Sequence, residues 1–303
     1  MEGTMKELQT HKKALIKKSF INTIEPYLYL IPCLFIFIVF TYFPFIKTIY
    51  LSLFSTDAVG KINSFVGLSN YIELLKSPSF INSIIVTFKF VIFTTFPSII
   101  LGLIAALLCN NKLKGKSIFN TMYAIPMAVS SAVAAIIWLL LFNPSIGILN
   151  YVLKSNIGWL TDPFWALISV SIVTVWMNIS VNFIFITAGL QNIPKELYES
   201  ASIDGANYSQ CLKNIILPCL SPTLFFVLVI DIIHAFQTFV QISVMTTGGP
   251  GESTNVLVYS IYRNAFFNNR FDAASAESII LFIMMLAITL IQFKYEKKKV
   301  FYK

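Results

Sequence analysis

Two long apolar stretches each carry a row of polar side chains at helical spacing. The members of a row recur every three or four residues, which places each row on one face of a helix. The rows are Ser171, Thr174, Asn178 and Asn182, and Asp231, His234, Thr238 and Gln241. Asp231 is the only carboxylate well inside an apolar stretch, and it is expected to face a bundle interior or a water-filled cavity. Two interpretations are open: the rows form the polar wall of a solute pathway, or Asp231 and His234 pair with each other or hold helices together.

Catalytic and metal-binding patterns are missing from the sequence. The two histidines, His11 and His234, are far apart, and the four cysteines include no Cys-x-x-Cys pair. Gly115-Lys116-Ser117 looks like the end of a phosphate-binding loop, but position 110, where that motif needs glycine, is Asn110. We therefore expect no cofactor, metal or ATP on this chain, and no enzymatic activity of its own.

The composition is that of a membrane protein. Only 12% of the 303 residues are charged, and the mean hydropathy is +0.75. Six stretches are apolar enough to cross a bilayer, which predicts an all-α membrane protein with six transmembrane helices. The stretches are Tyr27–Phe45, Ser83–Cys109, Ile118–Phe142, Pro163–Leu190, Cys219–Met245 and Ser275–Phe293.

The basic residues are distributed unevenly, and this predicts the orientation. Most of the 22 lysines and arginines lie before the first stretch, after the second, in the loop 191–218 or at the end of the chain. Because cytosolic loops carry the excess of Lys and Arg, both termini and that loop are expected in the cytosol. The net charge of +8 therefore indicates contact with anionic lipid rather than nucleic acid. The expected division is a cytosolic segment 1–26, a first helix with its outer loop 27–82, a core 83–293 and a basic cytosolic tail 294–303.

The loop 191–218 has its own local pattern. Pro194 suits the first turn of a helix, and Gly205 can end that helix because it tolerates positive φ. A second short helix should then lead into the next span, with Pro218 and Pro222 resetting the chain as it enters the membrane. By itself this pattern is also that of an ordinary capped loop helix.

The spacing in this loop resembles the signature of importer-type ABC permeases. Glu199-Ser200-Ala201, Gly205, Ile215 and Leu217-Pro218 follow the pattern E-A-A-x-x-x-G-x9-I-x-L-P, with Ser200 as the one departure. Two outer stretches, Phe65–Tyr71 and Thr246–Thr254, resemble F-x-G-L-x-N-Y and T-x-G-G-P…T of carbohydrate-uptake permeases of the maltose and glycerol-phosphate type.

This resemblance implies the type I ABC importer permease fold and a set of partners. They are a second homologous permease, two ABC ATPase subunits that hold ATP and Mg²⁺, and an extracellular or lipid-anchored solute-binding protein. It also implies a multi-pass protein of the bacterial plasma membrane that works by alternating access.

The resemblance further implies residue roles. Glu199 would offer its carboxylate to a basic group of the ATPase, and small residues beside it would allow close approach. The implied coupling residues are Glu199, Ser200, Ala201, Asp204, Gly205, Ala206, Leu217 and Pro218. The implied substrate-pathway residues are Met127, Ser131, Thr174, Met177, Asn178, Asp231, His234 and Thr238.

Other functions remain as alternatives. An ion-coupled secondary transporter using Asp231 would predict inverted repeats with broken helices, and the sequence suggests neither. A membrane enzyme would need paired histidines or aspartates at the membrane face, which are missing. An ABC permease for a non-sugar solute remains possible if the Gly248-Gly249-Pro250 turn is coincidental.

Overall fold

The computed structural model describes residues 27–110 and 115–299. The predicted cytosolic segment 1–26 and the last four residues of the predicted tail 294–303 lie outside these ranges. The elements in chain order are α1 Tyr27–Ser52, β1 Phe54–Thr56, β2 Ile62–Phe65, α2 Ser69–Lys76, α3 Pro78–Asn110, α4 Lys116–Ala124, α5 Ser131–Leu141, α6 Ile148–Leu153, α7 Pro163–Gln191, α8 Lys195–Ile203, α9 Tyr208–Phe236, α10 Val240–Met245, α11 Leu257–Phe266 and α12 Phe271–Lys299.

Five helices are long and apolar enough to cross a membrane, namely α1, α3, α7, α9 and α12. The third apolar stretch differs from the prediction because it is not one straight span. It forms two helical segments, Ser117–Ala128 and Ser131–Leu141, bent by 104° at a short break. The expectation that the chain contains no broken helix is therefore wrong for this stretch. The described residues hold five spans, or six when the bent pair is counted as one.

The break has a local cause. The backbone tightens into a 3-10 turn over Ile125–Ala128, and Val129 then takes an extended conformation. Ser130 caps the helix that follows, because its side-chain oxygen accepts a hydrogen bond of 3.4 Å from the backbone N–H of Val133. The sequence thus ends one helix and starts another inside an apolar run.

Prolines lie inside two of the spanning helices. Pro222, predicted together with Pro218 to reset the chain, lies inside α9. Pro44 lies inside α1, and Pro218 also lies inside α9. Each follows a π-helical turn, Ile38–Tyr42 and Leu212–Ile216 respectively. A π turn widens the helix, which accommodates the proline ring and its missing N–H just downstream. The first helix accordingly continues to Ser52 rather than ending near Phe45.

The centre of the bundle is the close contact between α3 and α7. A Cβ atom at Gly102 of α3 would lie only 2.7 Å from the Cβ of Asn182 on α7. Glycine therefore sets how closely these two helices approach, as small residues do in membrane helix pairs. The two helices also contribute to a buried apolar cluster that includes Phe90, Phe142 and Val170.

The end of the bundle opposite the loop 191–218 carries several short elements, including an antiparallel β1–β2 hairpin that the all-α prediction did not include. The hairpin is held by Asn70, whose side-chain amide donates to the carbonyls of Ser52 and Phe54 at 2.9 and 3.0 Å. The Tyr71 hydroxyl lies 2.7 Å from the Ser52 hydroxyl. The F-x-G-L-x-N-Y stretch thus closes the outer loop onto the end of α1.

Candidate functional site

A cavity of about 370 Å³ opens beside the break in the bent helix pair. Its walls come from the break, the middle of α7, the end of α9 and the start of α10. The lining residues are Pro126, Met127, Ser131, Thr174, Met177, Asn178, Val181, His234, Gln237, Thr238, Phe239, Val240 and Gln241. All of the predicted pathway residues except Asp231 are among them.

The break explains how two of these residues reach the cavity. Met127 lies in the 3-10 turn and Ser131 is the first residue of α5. A continuous helix would have carried them along one axis, whereas the bend turns both toward α7. Irregular backbone at membrane depth is tolerated where it lines a cavity, which is the situation here.

The far wall depends on where α9 ends. The predicted span reached Met245, but α9 ends at Phe236 and a turn leads into α10. The backbone N–H of Gln237 donates to the carbonyls of Ile233 and His234, and the Thr238 hydroxyl donates to the His234 carbonyl at 3.0 Å. Thr238 and Gln241 therefore reach the cavity through the turn and α10, and not as members of one helical face.

Asp231, a predicted pathway residue, lies outside the cavity. Its side chain is only 2% exposed, and it does not line the cavity. One carboxylate oxygen accepts hydrogen bonds from the Ser98 hydroxyl at 2.6 Å and from the Asn182 side-chain amide at 2.7 Å. An offset of three residues leaves about 60° between two side chains on a helix. That angle is enough to turn Asp231 between helices while His234 faces the cavity.

The polar row on α7 divides in the same way. Thr174 and Asn178 line the cavity, whereas Asn182 is buried against α3 and holds Asp231. The Ser171 hydroxyl donates to the carbonyl of Leu167 in its own helix at 2.7 Å. Of the two open interpretations, holding helices together therefore describes Asp231 and Asn182. A cavity wall describes Thr174, Asn178, His234, Thr238 and Gln241, and Ser171 belongs to neither group.

The cavity wall is suited to hydrogen bonding rather than covalent chemistry. Among the residues that line it, His234 is the only one with a titratable side chain. The side-chain amides of Asn178, Gln237 and Gln241 can donate and accept, and the Asn178 nitrogen has no partner within the described part of the chain. The side chains of Met127, Met177 and Phe239 add apolar surface. Such a wall can bind a small polar solute by several exchangeable contacts.

Several of the residues that form or support the cavity wall carry no sequence pattern that predicts this role. Gln237, Phe239 and Val240 lie in the turn and in α10, where no helical periodicity marks them. Ser98 is one of many hydroxyl residues on α3, so nothing in the sequence singled it out as a partner of Asp231. Gln237, Phe239 and Val240 could have been found only by recognising a tight turn after the apolar helix.

A second buried carboxylate was also missed. Glu277 of α12 is 1% exposed and lines a polar cavity of about 320 Å³ at the end of the bundle opposite the loop 191–218. One of its oxygens accepts hydrogen bonds from Asn264 at 2.8 Å and Ser260 at 3.3 Å. Glu277 lies close to the start of α12, so neighbouring helices and not depth within the span account for its burial.

The loop between α7 and α9 contains the predicted helix and the predicted glycine turn. α8 is followed by Gly205 at φ +69°, and Asn207 and Gln210 form a capping box that starts the next helix. This next helix is α9 itself, so the predicted second short helix is the first part of α9 and not a separate element. The Ala206 N–H donates to the Ala201 carbonyl at 2.9 Å, which closes the end of α8.

The predicted coupling residues of this loop fall into two groups. Glu199, Ser200, Asp204 and Gly205 are exposed, and Ala206 is half-buried. Ala201 is only 9% exposed, so its small side chain serves packing within this chain. Leu217 and Pro218 are half-buried at the base of α9 and do not belong to the exposed surface.

The inner face of α8 anchors the loop to the bundle. Leu197 and Tyr198 pack on a buried cluster that includes Ile193 and Ile216. Burial raises the pKa of the Tyr198 hydroxyl, and the nearby thiols of Cys211 and Cys219 raise it further. The loop is therefore a firmly seated extension of α7 and α9.

Comparison with known proteins identifies the family. A family model described as a binding-protein-dependent transport system inner membrane component matches residues 98–299. The chain belongs to this family. The matched region contains both the cavity and the loop 191–218.

Known proteins are similar to this chain over nearly its whole length. The sn-glycerol-3-phosphate transport system permease protein UgpA of Agrobacterium fabrum is 40% identical over 287 residues, covering 93% of this chain and 98% of that protein. The UgpA of Brucella abortus is 38% identical over 290 residues, covering 94% and 99%. A chain of a bacterial ABC transporter involved in import of the acidic polysaccharide alginate superposes with a TM-score of 0.81 at 25% identity, covering 92% of this chain and 98% of that one.

The resemblance to carbohydrate-uptake ABC permeases is thereby confirmed. The protein is a multi-pass component of the inner membrane, and its relatives are transport permease subunits.

Proposed function

We propose that this chain is the permease subunit of an ATP-driven, binding-protein-dependent sugar importer and forms half of its translocation pathway. The observation that carries the proposal is that the same two helices join the loop 191–218 to the cavity. α7 brings Thr174, Met177 and Asn178 to the cavity and ends at the loop. α9 starts in the loop and ends beside the cavity with His234.

This connection supports a mechanical mechanism. A helix rises about 1.5 Å per residue, so Asn178 lies roughly 20 Å from the end of α7. A rigid helix transmits a displacement of its end over that distance. Force applied at α8 would then move two walls of the cavity against the bent pair and α10, which exposes the cavity alternately to the two sides of the membrane.

The proposed partners follow from this arrangement. Glu199, Ser200, Asp204 and Gly205 form the accessible surface that an ATPase subunit would grip, with ATP and Mg²⁺ bound on that separate chain. A second homologous permease would supply the other half of the pathway. A solute-binding protein would deliver the solute, in keeping with the family description. The lysine distribution supports placing both termini and the loop in the cytosol.

The solute class is proposed from two sources. The relatives are named for sn-glycerol-3-phosphate and alginate transport, which are a polyol derivative and a polysaccharide. The cavity offers amide, hydroxyl and imidazole groups that suit a hydroxylated solute. We assign seven residues to this pathway: Met127, Ser131, Thr174, Met177, Asn178, His234 and Thr238.

An ion-coupled secondary transporter is the alternative that the bent helix pair favours, since broken helices are common in that class. It would rely on Asp231, yet this carboxylate is buried between helices and turned away from the cavity. The alternative also leaves the exposed loop without a purpose. Uptake that persists without ATP but stops when the ion gradient is dissipated would favour it.

The direct test is uptake of labelled sn-glycerol-3-phosphate and of maltose in cells carrying loop variants, with copurification of the ATPase. Glu199→Lys and Gly205→Pro should abolish uptake and release the ATPase while the permease stays in the membrane. Glu196→Lys is the matched control, because it reverses another exposed charge, in the first turn of α8 and outside the signature. If Glu199→Lys and Gly205→Pro both leave uptake and the bound ATPase unchanged, the proposal fails.

A further inference from the structure

The short helix α6 and the turn before it expose an apolar surface at the end of the bundle opposite the loop 191–218. Tyr151 is 85% exposed and Ile146 is 78% exposed. The exposed apolar side chains of this surface are Ile146, Ile148, Tyr151, Val152 and Leu153. A contiguous group of this kind indicates a contact with another surface, whereas single exposed apolar residues do not.

A cavity of about 580 Å³ opens beside this surface and contains its one cation. The lining residues are Asn150, Tyr151, Val152, Lys154, Ser155 and Asn156. Lys154 is exposed, and it is the only charged residue between Asn143 and Thr161. Its ammonium group forms no ion pair with any of the described residues. The cavity therefore combines an ammonium group, hydrogen-bonding side chains and an apolar wall.

The backbone around the cavity is fixed by Asn150, which is only 7% exposed. Its amide donates to the Ile157 carbonyl at 3.0 Å, and its side-chain oxygen accepts from the Trp159 indole N–H at 2.8 Å. The backbone N–H of Ser155 donates to the Asn150 carbonyl at 3.1 Å. Lys154 is thereby held at φ 49°, a left-handed conformation that is uncommon for a residue with a side chain. The point from which the lysine projects is fixed before any ligand binds.

The composition of this surface fits the headgroup layer of a membrane. A tyrosine ring is favourable at headgroup level, and a lysine there keeps its stem on apolar surface and its ammonium group at the phosphates. The adjoining ends of two spans are apolar and exposed as well, with Leu140 in the last turn of α5 and Phe164 in the first turn of α7. A lone positive charge with no carboxylate beside it complements an anionic headgroup.

We propose that α6 lies in the headgroup layer and that the cavity beside it binds the phosphate of an anionic phospholipid. Lys154 pairs with the phosphate, Ser155 and Asn156 offer hydrogen bonds to the headgroup, and Val152 contacts the acyl chain. A lipid bound there braces the chain just before α7, whose middle forms one wall of the solute cavity. This assignment goes beyond the proposed function and depends neither on the solute nor on the ATPase.

The test titrates the purified permease in detergent with phosphatidylglycerol or phosphatidylcholine and counts bound lipid by native mass spectrometry. Phosphatidylglycerol, which has a net negative charge, should bind more tightly. Lys154→Gln should raise its apparent dissociation constant about five-fold, the factor expected for one basic residue at an anionic surface, and Lys154→Arg should retain the wild-type value. Val152→Glu should weaken binding of both lipids, because it places a carboxylate against the acyl chain.

Lys61→Gln is the matched control, because Lys61 is also an exposed lysine at this end but lies beside Asp57 in the β1–β2 turn. It should leave the dissociation constant unchanged. Since Lys154 and Val152 are exposed, their variants should keep the wild-type thermal midpoint when no lipid is added. Unchanged phosphatidylglycerol binding in both Lys154→Gln and Val152→Glu would overturn the proposal. Loss of a second permease or a solute-binding protein from the assembly in these variants would overturn it too, because the surface would then be a protein interface.

Discussion

The side-chain amide of Asn182 donates a hydrogen bond of 2.7 Å to the buried carboxylate of Asp231, and this contact joins α7 to α9. The Ser98 hydroxyl donates to the same oxygen from α3 at 2.6 Å. Three spans therefore meet at one carboxylate. One turn further along α9, His234 faces the cavity, so the position of that wall depends on the buried contact behind it.

Substitutions at Asp231 should change the thermal stability of the permease more than its affinity for solute. In Asp231→Ala the donors of Ser98 and Asn182 lose their acceptor, and each buried unsatisfied group costs about 1–3 kcal/mol. We expect a clear loss of thermal stability in purified permease. Asp231→Asn keeps an acceptor oxygen, so it should retain more stability than Asp231→Ala and a near-normal apparent affinity for solute.

His234→Ala is the comparison for that pair of variants. The side chain is exposed to the cavity, so its removal should change the rate or apparent affinity of uptake and leave the thermal midpoint almost unaltered. The reverse result, with Asp231→Asn changing solute affinity and His234→Ala having no effect on uptake, would contradict the assignment of the two side chains.

Gly102 should tolerate no side chain. A Cβ atom there would lie 2.7 Å from the Cβ of Asn182 and 3.4 Å from the backbone nitrogen of Phe183. Overpacking of this kind costs about 1–3 kcal/mol, and Gly102→Val should cost more than Gly102→Ala. The measurement is the thermal midpoint in detergent, with Leu101→Ala as control because Leu101 is adjacent in the same helix but 44% exposed. A midpoint for Gly102→Val equal to that of the control would refute the close contact.

The ion pair between Glu252 and Arg263 should respond to acid. Burial opposes ionisation of Glu252, but hydrogen bonds from Arg263 at 2.6 Å and Ser79 at 2.9 Å outweigh it, so its pKa is lowered from the ordinary 4.5. Its stabilising contribution is therefore complete above about pH 4.5 and is lost as the pH falls through the lowered pKa.

The measurement for this pair is resistance of the loop 246–256 to proteolysis by pepsin between pH 5 and pH 2 (roughly the window set by a depressed carboxyl pKa). In the wild type, protection from pepsin should decrease as the pH falls from about 5 to about 2. In Glu252→Gln, protection should already be lower at about pH 5 and should change little over this range. The effect is modest and salt-sensitive, since the two side chains are 31% and 34% exposed. Glu73→Gln is the control, because Glu73 meets Arg270 at 3.6 Å on a more exposed surface. Equal pH dependence in Glu252→Gln and wild type would argue against the assignment.

The sequence by itself determined the class of protein and the local structure of the loop 191–218. Long apolar stretches leave few alternatives to membrane helices, because every backbone polar group must be satisfied inside the bilayer. Gly205 and the polar residues around it specify a helix, a turn and a second helix through short-range interactions alone. These features depend on neighbours in the chain, so they can be predicted from it.

Only the tertiary structure decided which polar residues face the cavity. Helical periodicity placed Asp231 and His234 on one face, but the direction of that face depends on which helices pack around it. α3 and α7 take Asp231 into their contact through Ser98 and Asn182, and the break before α5 brings Met127 and Ser131 to the opposite wall. Glu277 is buried by α11, whose position relative to α12 no local pattern specifies. Such placements arise from contacts between residues far apart in the chain, and a periodic pattern does not contain that information.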